Sequence, residues 1–292
     1  MLIDGRKIVF LGTPQAAATI LESLIESGFE IVHVITRPDA RRGRGGTKSA
    51  SAVKAVAVRH GISVSNDLSS LDSFDEPLLG IVVAYGRIIP ARVLEKIPML
   101  NVHFSLLPRW RGAAPVERAI LAGDAETGVC IMDVEATLDT GAVYGDIRTA
   151  IKHSDTSETL TTRLASMGAQ LLCDVLRADL VRAVVQVGEP TYAHKITAED
   201  QKIDWSASAE FIDRQIRAVR AFTAFDGQRV KILKAEIVSG DRAVARVGPD
   251  AVVGTGDGAL MLVTVAPEGR PAMNAADWLR GRQGSEPIQF DL

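Results

Sequence analysis

The stretch KIVFLGTPQAAATILESLIESG, Lys7 to Gly28, decides the fold class. Lys7 to Gly12 is a short β-branched and apolar run that ends in Gly-Thr-Pro. Gln15 to Ser27 then places apolar residues at helical spacing until Gly28 stops the pattern. Working outward, Glu30 to Thr36 (EIVHVIT) reads as a second strand, Ser51 to His60 as a helix stopped by Gly61, and Leu78 to Ala84 (LLGIVVA) as a buried central strand. A short helix near Pro90 to Lys96 precedes another strand, Asn101 to Leu107. Strands that alternate with helices and are apolar almost throughout predict a Rossmann-like, doubly wound, mostly parallel α/β sheet. Ligands of such a sheet sit at the carboxyl ends of its strands.

Downstream, Thr156 to Leu180 predicts one long amphipathic helix, with Thr156 or Ser157 as N-cap and Leu160, Leu164, Met167, Leu171, Leu172 and Val175 along a common side. Val187 to Ser206 is polar and punctuated by Gly and Pro, as a linker would be. After a helix at Ala209 to Val219 come short strands separated by turns: Arg229 to Val238, Ala243 to Val247, Ala251 to Gly254 and Ala259 to Ala266. The expected organisation is a first domain over residues 1–185, a linker over 186–207, and a small OB-like β-barrel over 208–292.

Composition removes several function classes. A net charge of −3 over 292 residues argues against a surface that coats nucleic acid all round. Cys130 and Cys173 sit in apolar segments without a Cys or His at ligand spacing, so they are expected to be core hydrophobes, and no metal is implied. No apolar run approaches the roughly 20 residues of a membrane span, and the first residues lack a signal-peptide pattern, so a cytoplasmic protein is expected. The first turn, Gly12-Thr13-Pro14-Gln15, lacks the G-x-G-x-x-G of a dinucleotide site, and GRGGTKS, Gly43 to Ser49, departs from the phosphate-loop pattern because Thr47 precedes Lys48. No nucleotide cofactor is expected.

What remains is NVHFSLLPRWRGAAP, Asn101 to Pro115. Alternation along a strand puts Asn101, His103 and Ser105 on one face, an unusual polar trio in an apolar strand. Asp139, in VEATLDTG between two apolar strands, adds a carboxylate. Amide and imidazole donors for a tetrahedral oxyanion, with a carboxylate to manage protons, form the group set for acyl transfer.

With VVAYGRIIP (Val82 to Pro90), RPDARRGRG (Arg37 to Gly45), AGDAETGVCIM, LDTG, YAHKI, IDW and the tail PEGRPAM…ADWLRGR, the chain resembles the folate-dependent formyltransferases nearly end to end, and among them the methionyl-tRNA formyltransferases. The resemblance implies transfer of a formyl group from 10-formyltetrahydrofolate, as co-substrate, to the α-amino group of methionyl-initiator tRNA for translation initiation. It implies that Asn101, His103 and Asp139 are the catalytic triad. It also implies that Ser105, Leu106, Leu107 and Pro108, with Ala84, Tyr85, Gly86, Ile88 and Pro90, bind tetrahydrofolate. An N-formyltransferase for an amino sugar-nucleotide and a non-catalytic folate- or RNA-binding relative are the alternatives.

Arg37, Arg41, Arg42, Arg44 and Lys48 oppose only Asp39, a local charge of +4 (five bases less one acid), on a loop that Gly43, Gly45 and Gly46 make pliable. The resemblance implies that Arg41, Arg42, Arg44 and Lys48 contact tRNA, and Arg109 and Arg111 extend the basic rim. From Ser208 onward eleven Lys and Arg balance eleven Asp and Glu, a weak RNA clamp unless the charges segregate by face. The family's Pro-rich segment before the barrel is shorter here, RAFTAFDGQRVKI, and the first strand expected there begins at Arg229. Initiator tRNA and tetrahydrofolate species are the expected partners of a monomer that does not engage membranes.

Overall fold

A computed structural model of the chain describes residues 6–41, 48–178, 182–281 and 288–291. The chain divides into two compact units. The first takes the chain up to Pro115, with Glu126–Ala150 and Glu158–Ala193, and the second takes Val116–Ala125, Ile151–Ser157 and the chain from His194 onward.

The first unit is built on a seven-stranded sheet. Its strands are β1 (Lys7–Gly12), β2 (Ile31–Ile35), β3 (Ser63–Ser65), β4 (Leu78–Val83), β5 (Met99–His103), β6 (Glu126–Asp133) and β7 (Val143–Ala150), in the spatial order β7-β6-β5-β4-β1-β2-β3. The five strands from β3 to β5 run parallel, and β6 and β7 close the edge antiparallel. Strand order reverses at β1, which pairs β2 on one side and β4 on the other. The crevice at the carboxyl ends of β1, β4 and β5 is therefore the ligand position of a Rossmann-like sheet.

The apolar runs behave as their composition dictates. All six residues of β4 are buried, as are Ile8 to Gly12 of β1. Helix α1 (Gln15–Glu26) buries Ala16, Ala17, Ala18, Ile20, Leu21 and Leu24 along one stripe. Helix α2 (Ala52–Arg59) is capped by Ser51, whose hydroxyl accepts from Lys54 N–H at 3.0 Å. Short α3 (Ala91–Leu94) and the long α5 (Ser157–Arg177) complete the helices of this unit, while α4 (Pro115–Ala122) falls, from Val116 on, in the second. Cys130 and Cys173 are both buried. Burial pushes the Cys130 thiol up to about 11, leaving it an inert thiol at neutral pH.

Two strands are shorter than the sequence pattern predicts: Ala243 to Val247 is reduced to Arg246–Val247, and β5 stops before Leu107. β5 ends at His103, so Ser105 is not part of its alternation. The Ser105 side chain is fully buried and its hydroxyl donates to the Arg109 carbonyl at 2.6 Å. That bond, with Arg109 N–H to the Leu106 carbonyl at 3.0 Å, folds residues 105–109 into a turn where the alternation predicted a strand.

In the second unit, α6 (Ala198–Gln201) opens with a capping box between Thr197 and Asp200, and α7 (Ala209–Val219) is capped by Ser208. The antiparallel sheet then has a main path of β8 (Phe222–Phe225), β9 (Gln228–Val238), β10 (Arg246–Val247), β11 (Val252–Gly254), β12 (Ala259–Pro267) and β13 (Ile288–Gln289), in the order β8-β9-β12-β11-β10-β13, and the short pair Met273–Asn274 adds a seventh strand beside β12. Asp291 N–H donates to the Ala224 carbonyl at 3.0 Å, bringing the end of the sheet back to its first strand and nearly closing a barrel. Helix α8 (Ala275–Arg280) precedes β13.

The barrel does not start at Arg229. Phe222–Phe225 forms a strand joined to β9 by Asp226 and Gly227, at φ 51° and 69°. A two-residue turn with both φ positive matches the twist of a hairpin, and Asp-Gly is the pair that tolerates it. The shortened segment therefore costs the barrel no strand. Its core centres on Trp205, stacked on Phe290 with centroids 5.2 Å apart and donating from Nε1 to Thr223 Oγ1 at 2.9 Å. Among the described residues no helix is long and apolar enough to cross a membrane.

Candidate active site

Parallel pairing of β4 with β5 sets Val82 beside Asn101, and antiparallel pairing with β6 sets Asn101 beside Met132 and His103 beside Cys130. Two residues apart on one strand, Asn101 and His103 share a face at its carboxyl end. The turn between β6 and β7 brings Asp139 to that face. Asn101 Nδ2 lies 3.4 Å from Asp139 Oδ1, and His103 Nδ1 lies 3.7 Å from Asp139 Oδ2. The His103 and Asp139 side chains are only 5% and 10% exposed. In such a setting water screens their interaction poorly.

Asp139 has a left-handed backbone, φ 53°. That conformation costs a non-glycine residue about 1 kcal/mol or more and persists only where neighbours impose it. One constraint is the N–H of Gly112, which donates to Asp139 Oδ2 at 2.8 Å. Gly112 can sit there because its φ is 123° and a Cβ would lie 2.7 Å from the Ala193 carbonyl oxygen. The close approach arises from a two-residue parallel pairing, Arg111 with Tyr192 and Gly112 with Ala193.

A second anchor comes from the same loop. His103 Nε2 meets the Trp110 carbonyl at 2.9 Å. A carbonyl only accepts, so Nε2 carries the hydrogen and Nδ1 is the nitrogen turned to Asp139. Trp110 has φ 63° and is itself held by its N–H, which donates to Thr191 Oγ1 at 2.9 Å. Gln186 completes the frame. Its Nε2 donates to the carbonyls of Asp139 and Gly141, each at 2.9 Å, and its Oε1 accepts from Arg111 Nε and Nη2 at 3.0 and 2.7 Å.

The other residues singled out from the sequence are placed unevenly. Ala84, Gly86, Ile88 and Pro90 are exposed on the turn that leaves β4, with Ala84 and Gly86 at φ 45° and 71°, while Tyr85 and Ile89 point into the core. Ile88 is 90% exposed. The Gly86 carbonyl accepts from Arg37 Nη2 at 2.7 Å, tying this turn to the start of the basic loop. Leu106, Leu107 and Pro108 are half-buried on the turn beyond His103, whereas the Ser105 hydroxyl is committed to Arg109. Arg41 and Lys48 lie in a two-stranded pairing of Ala40–Arg41 with Lys48–Ser49; Arg42 and Arg44 lie outside the described residues. Asp39, the loop's one acid, binds Lys54 Nζ through both oxygens at 2.8 Å. Arg109 stacks over the Trp110 ring at 4.5 Å, and Arg111 is engaged by Gln186.

Trp110, Gly112, Gln186 and Thr191 were not among the candidates read from the sequence. Two of the four, Trp110 and Gly112, act through a backbone group, which carries no residue-type signal. Gln186 is the first residue of the segment 186–207 expected to be a linker.

Residues 6–176 match the family model for formyl transferase, and residues 195–283 match that for the formyl transferase C-terminal domain. The methionyl-tRNA formyltransferase of Corynebacterium diphtheriae is 40% identical over an alignment of 309 positions, gaps included, that covers 97% of this chain and 99% of that one. That of Jannaschia sp. is 41% identical over 290 positions, covering 94% and 96%. Among solved structures, an N-formyltransferase from Helicobacter canadensis in complex with folinic acid and dTDP-3-aminofucose superimposes with a TM-score of 0.68 at 19% identity, over 88% of this chain and 98% of that one. The methionyl-tRNA formyltransferase from Clostridium thermocellum does so with a TM-score of 0.60 at 19% identity, over 82% and 96%. At these identities the two structures share the fold.

Proposed function

The chain belongs to the formyl transferase family, and from that premise we propose that it transfers the formyl group of 10-formyltetrahydrofolate to the α-amino group of methionyl-initiator tRNA. The observation that carries the chemistry is the convergence of Asn101, His103 and Asp139 at the carboxyl end of β5. The choice of acceptor is supported by relatives about 40% identical over almost the whole chain. The donor suits the exposed turn Ala84–Pro90 and the half-buried Leu106 to Pro108. A flat heterocycle needs apolar cover for its faces and backbone groups for its polar edge, and these two turns offer both.

An aminoacyl α-amine titrates near the reference of about 7.7–8.0, so a large fraction is neutral and nucleophilic at cellular pH. The costly event is the negative oxygen that develops as the amine adds to the formyl carbon. Asn101 Nδ2 has two hydrogens and directs one toward Asp139 Oδ1, which leaves the second for that oxygen. A donor so placed is typically worth about a hundredfold or more in rate. His103 cannot turn, because Nε2 is held by Trp110. Its Nδ1 is the atom that takes the amine proton and returns it to the departing N10 nitrogen, with the Asp139 carboxylate stabilising the charge in between. The proton lost by the amine equals the one gained by the leaving group, and the ring ends as it began.

The test is formyl transfer from 10-formyltetrahydrofolate to charged initiator tRNA, run beside an amino sugar-nucleotide acceptor. Turnover confined to the tRNA is expected. Transfer to the sugar-nucleotide alone, or to neither acceptor, sinks the reading.

A further inference from the structure

We infer that Gln186 is a positioning residue of the formyl transfer reaction: it holds the turn that carries Asp139 in the one backbone conformation that aims the carboxylate at Asn101 and His103. The inference rests on the role given to Asp139 above. Every hydrogen-bonding group of the Gln186 amide faces a partner of the right polarity. Both Nε2 hydrogens meet carbonyl oxygens, those of Asp139 and Gly141, and Oε1 meets two guanidinium donors of Arg111. Turning the amide over would set Oε1 against two carbonyls and Nε2 against a cation, so the network fixes its orientation.

The geometry gives the bonds their consequence. Asp139 occupies a conformation that costs a non-glycine residue free energy, and it is held from two sides. Gly112 N–H grips the carboxylate at 2.8 Å, and Gln186 grips the backbone carbonyl at 2.9 Å. Without the second grip the turn relaxes about its own dihedrals, and the carboxylate swings away from the imidazole while the side chain itself is unchanged. Misplacement of a reacting group by about 1 Å can cost about a hundredfold in rate. Gln186 also commits Arg111. Its guanidinium is held by Gln186 through Nε and Nη2, so Arg111 serves the frame of the site as well.

A glutamine that only stiffened the fold would lower stability without regard to Asp139, and a double-mutant cycle separates the two cases. The variants are Gln186→Met, which keeps the volume and loses the amide; Gln186→Glu, which keeps the Arg111 contact but sets a carboxylate oxygen against two carbonyls; Asp139→Asn; and the Gln186→Met, Asp139→Asn double. For each, kcat and KM with charged tRNA, tetrahydrofolate binding and the melting temperature are measured. Gln186→Met and Gln186→Glu are expected to lower kcat about 10- to 100-fold with KM and tetrahydrofolate affinity changed less than about threefold. In the Asp139→Asn background the Gln186→Met change is expected to add less than about threefold. Losses that multiply in the double variant, full activity of Gln186→Glu, or equal loss of rate and tetrahydrofolate binding overturn the inference. Where Gln186→Met does not fold, Gln186→Glu carries the same comparison. Full activity of Asp139→Asn alone overturns the reading of Asp139 itself, whereas an impaired Asp139→Asn beside a fully active Gln186→Met overturns only the role of Gln186.

Discussion

The backbone N–H of Gly112 donates to Asp139 Oδ2 across 2.8 Å, joining two turns that lie 27 residues apart in the chain. The bond requires the Gly112 backbone to pass within van der Waals reach of the Ala193 carbonyl, at φ 123°. A methyl group has no room there. Gly112→Ala is therefore expected to cost about 1–3 kcal/mol in stability through strain. It is also expected to lower kcat about tenfold or more through a displaced carboxylate. Thermal unfolding and steady-state kinetics read the two effects separately. An alanine variant with unchanged kcat would mean that the Gly112 bond does not set the position of Asp139.

His103→Ala is expected to lower kcat at least about a hundredfold while tetrahydrofolate affinity stays within severalfold, because the imidazole acts on the moving proton. The side chain is buried and bonded to Trp110, so the comparison needs His103→Gln as a control that refills the space. Matching losses of rate and donor binding in both variants would make His103 a packing residue.

Sheet and site differ in how legible they were. β1 and β4 follow from continuous apolar runs buried on both faces, and α1 and α7 from apolar residues at helical spacing that bury one face. Asn101 and His103 stood out because a polar pair on one face of an apolar strand is costly unless it is used. Alternation alone puts Ser105 with them, because it says nothing of where a strand stops; its hydroxyl closes a turn instead. The hairpin at Asp226-Gly227 was written in its Asp-Gly pair and obscured by the shortness of the segment before it. The bonds that position Asp139 and His103 are not legible at all. Gly112 N–H, which holds Asp139, and the Trp110 carbonyl, which holds His103, are available in any sequence, and only the pairing of residues 111–112 with 192–193 gives them direction.

Tyr144 gives a readout on the strand that follows the Asp139 turn. Its hydroxyl donates to both oxygens of Asp133, at 3.0 and 3.2 Å, and its pKa is pushed up to about 12, by burial first and then by the carboxylate beside it. A phenol whose folded pKa lies above its unfolded value of about 10 contributes stability that is fully present below pH ~10 and is lost as pH rises toward 12. Wild type is therefore expected to lose more stability than Tyr144→Phe between about pH 10 and 12, and to show a late-ionising phenol in an ultraviolet titration that Tyr144→Phe lacks. Parallel denaturation midpoints over that window would show that the phenol is not held by Asp133.

The last prediction concerns the charge on the loop around residues 37–48. Phosphate contacts release counterions, so each basic residue that truly touches RNA contributes about 0.7–0.9 to the slope of log affinity against log salt. Arg42→Ala and Arg44→Ala are expected to raise KM for charged tRNA and to flatten that slope by about one unit each, with tetrahydrofolate affinity unchanged. The pair formed by Asp39 and Lys54 supplies a control of opposite sign. Both Asp39 oxygens bind Lys54 Nζ at 2.8 Å, so the loop's one acid is partly neutralised from α2. In Lys54→Met the Asp39 carboxylate is released to oppose the arginines, and KM for tRNA rises although Lys54 itself need not touch RNA. Adding Asp39→Asn to that variant removes the freed charge and is expected to bring KM back toward the wild-type value. A direct phosphate contact by Lys54 gives no such recovery, and neither does a loop that stays in solvent. Salt titration of the four variants distinguishes these cases, and a slope that none of them changes removes the loop from tRNA binding.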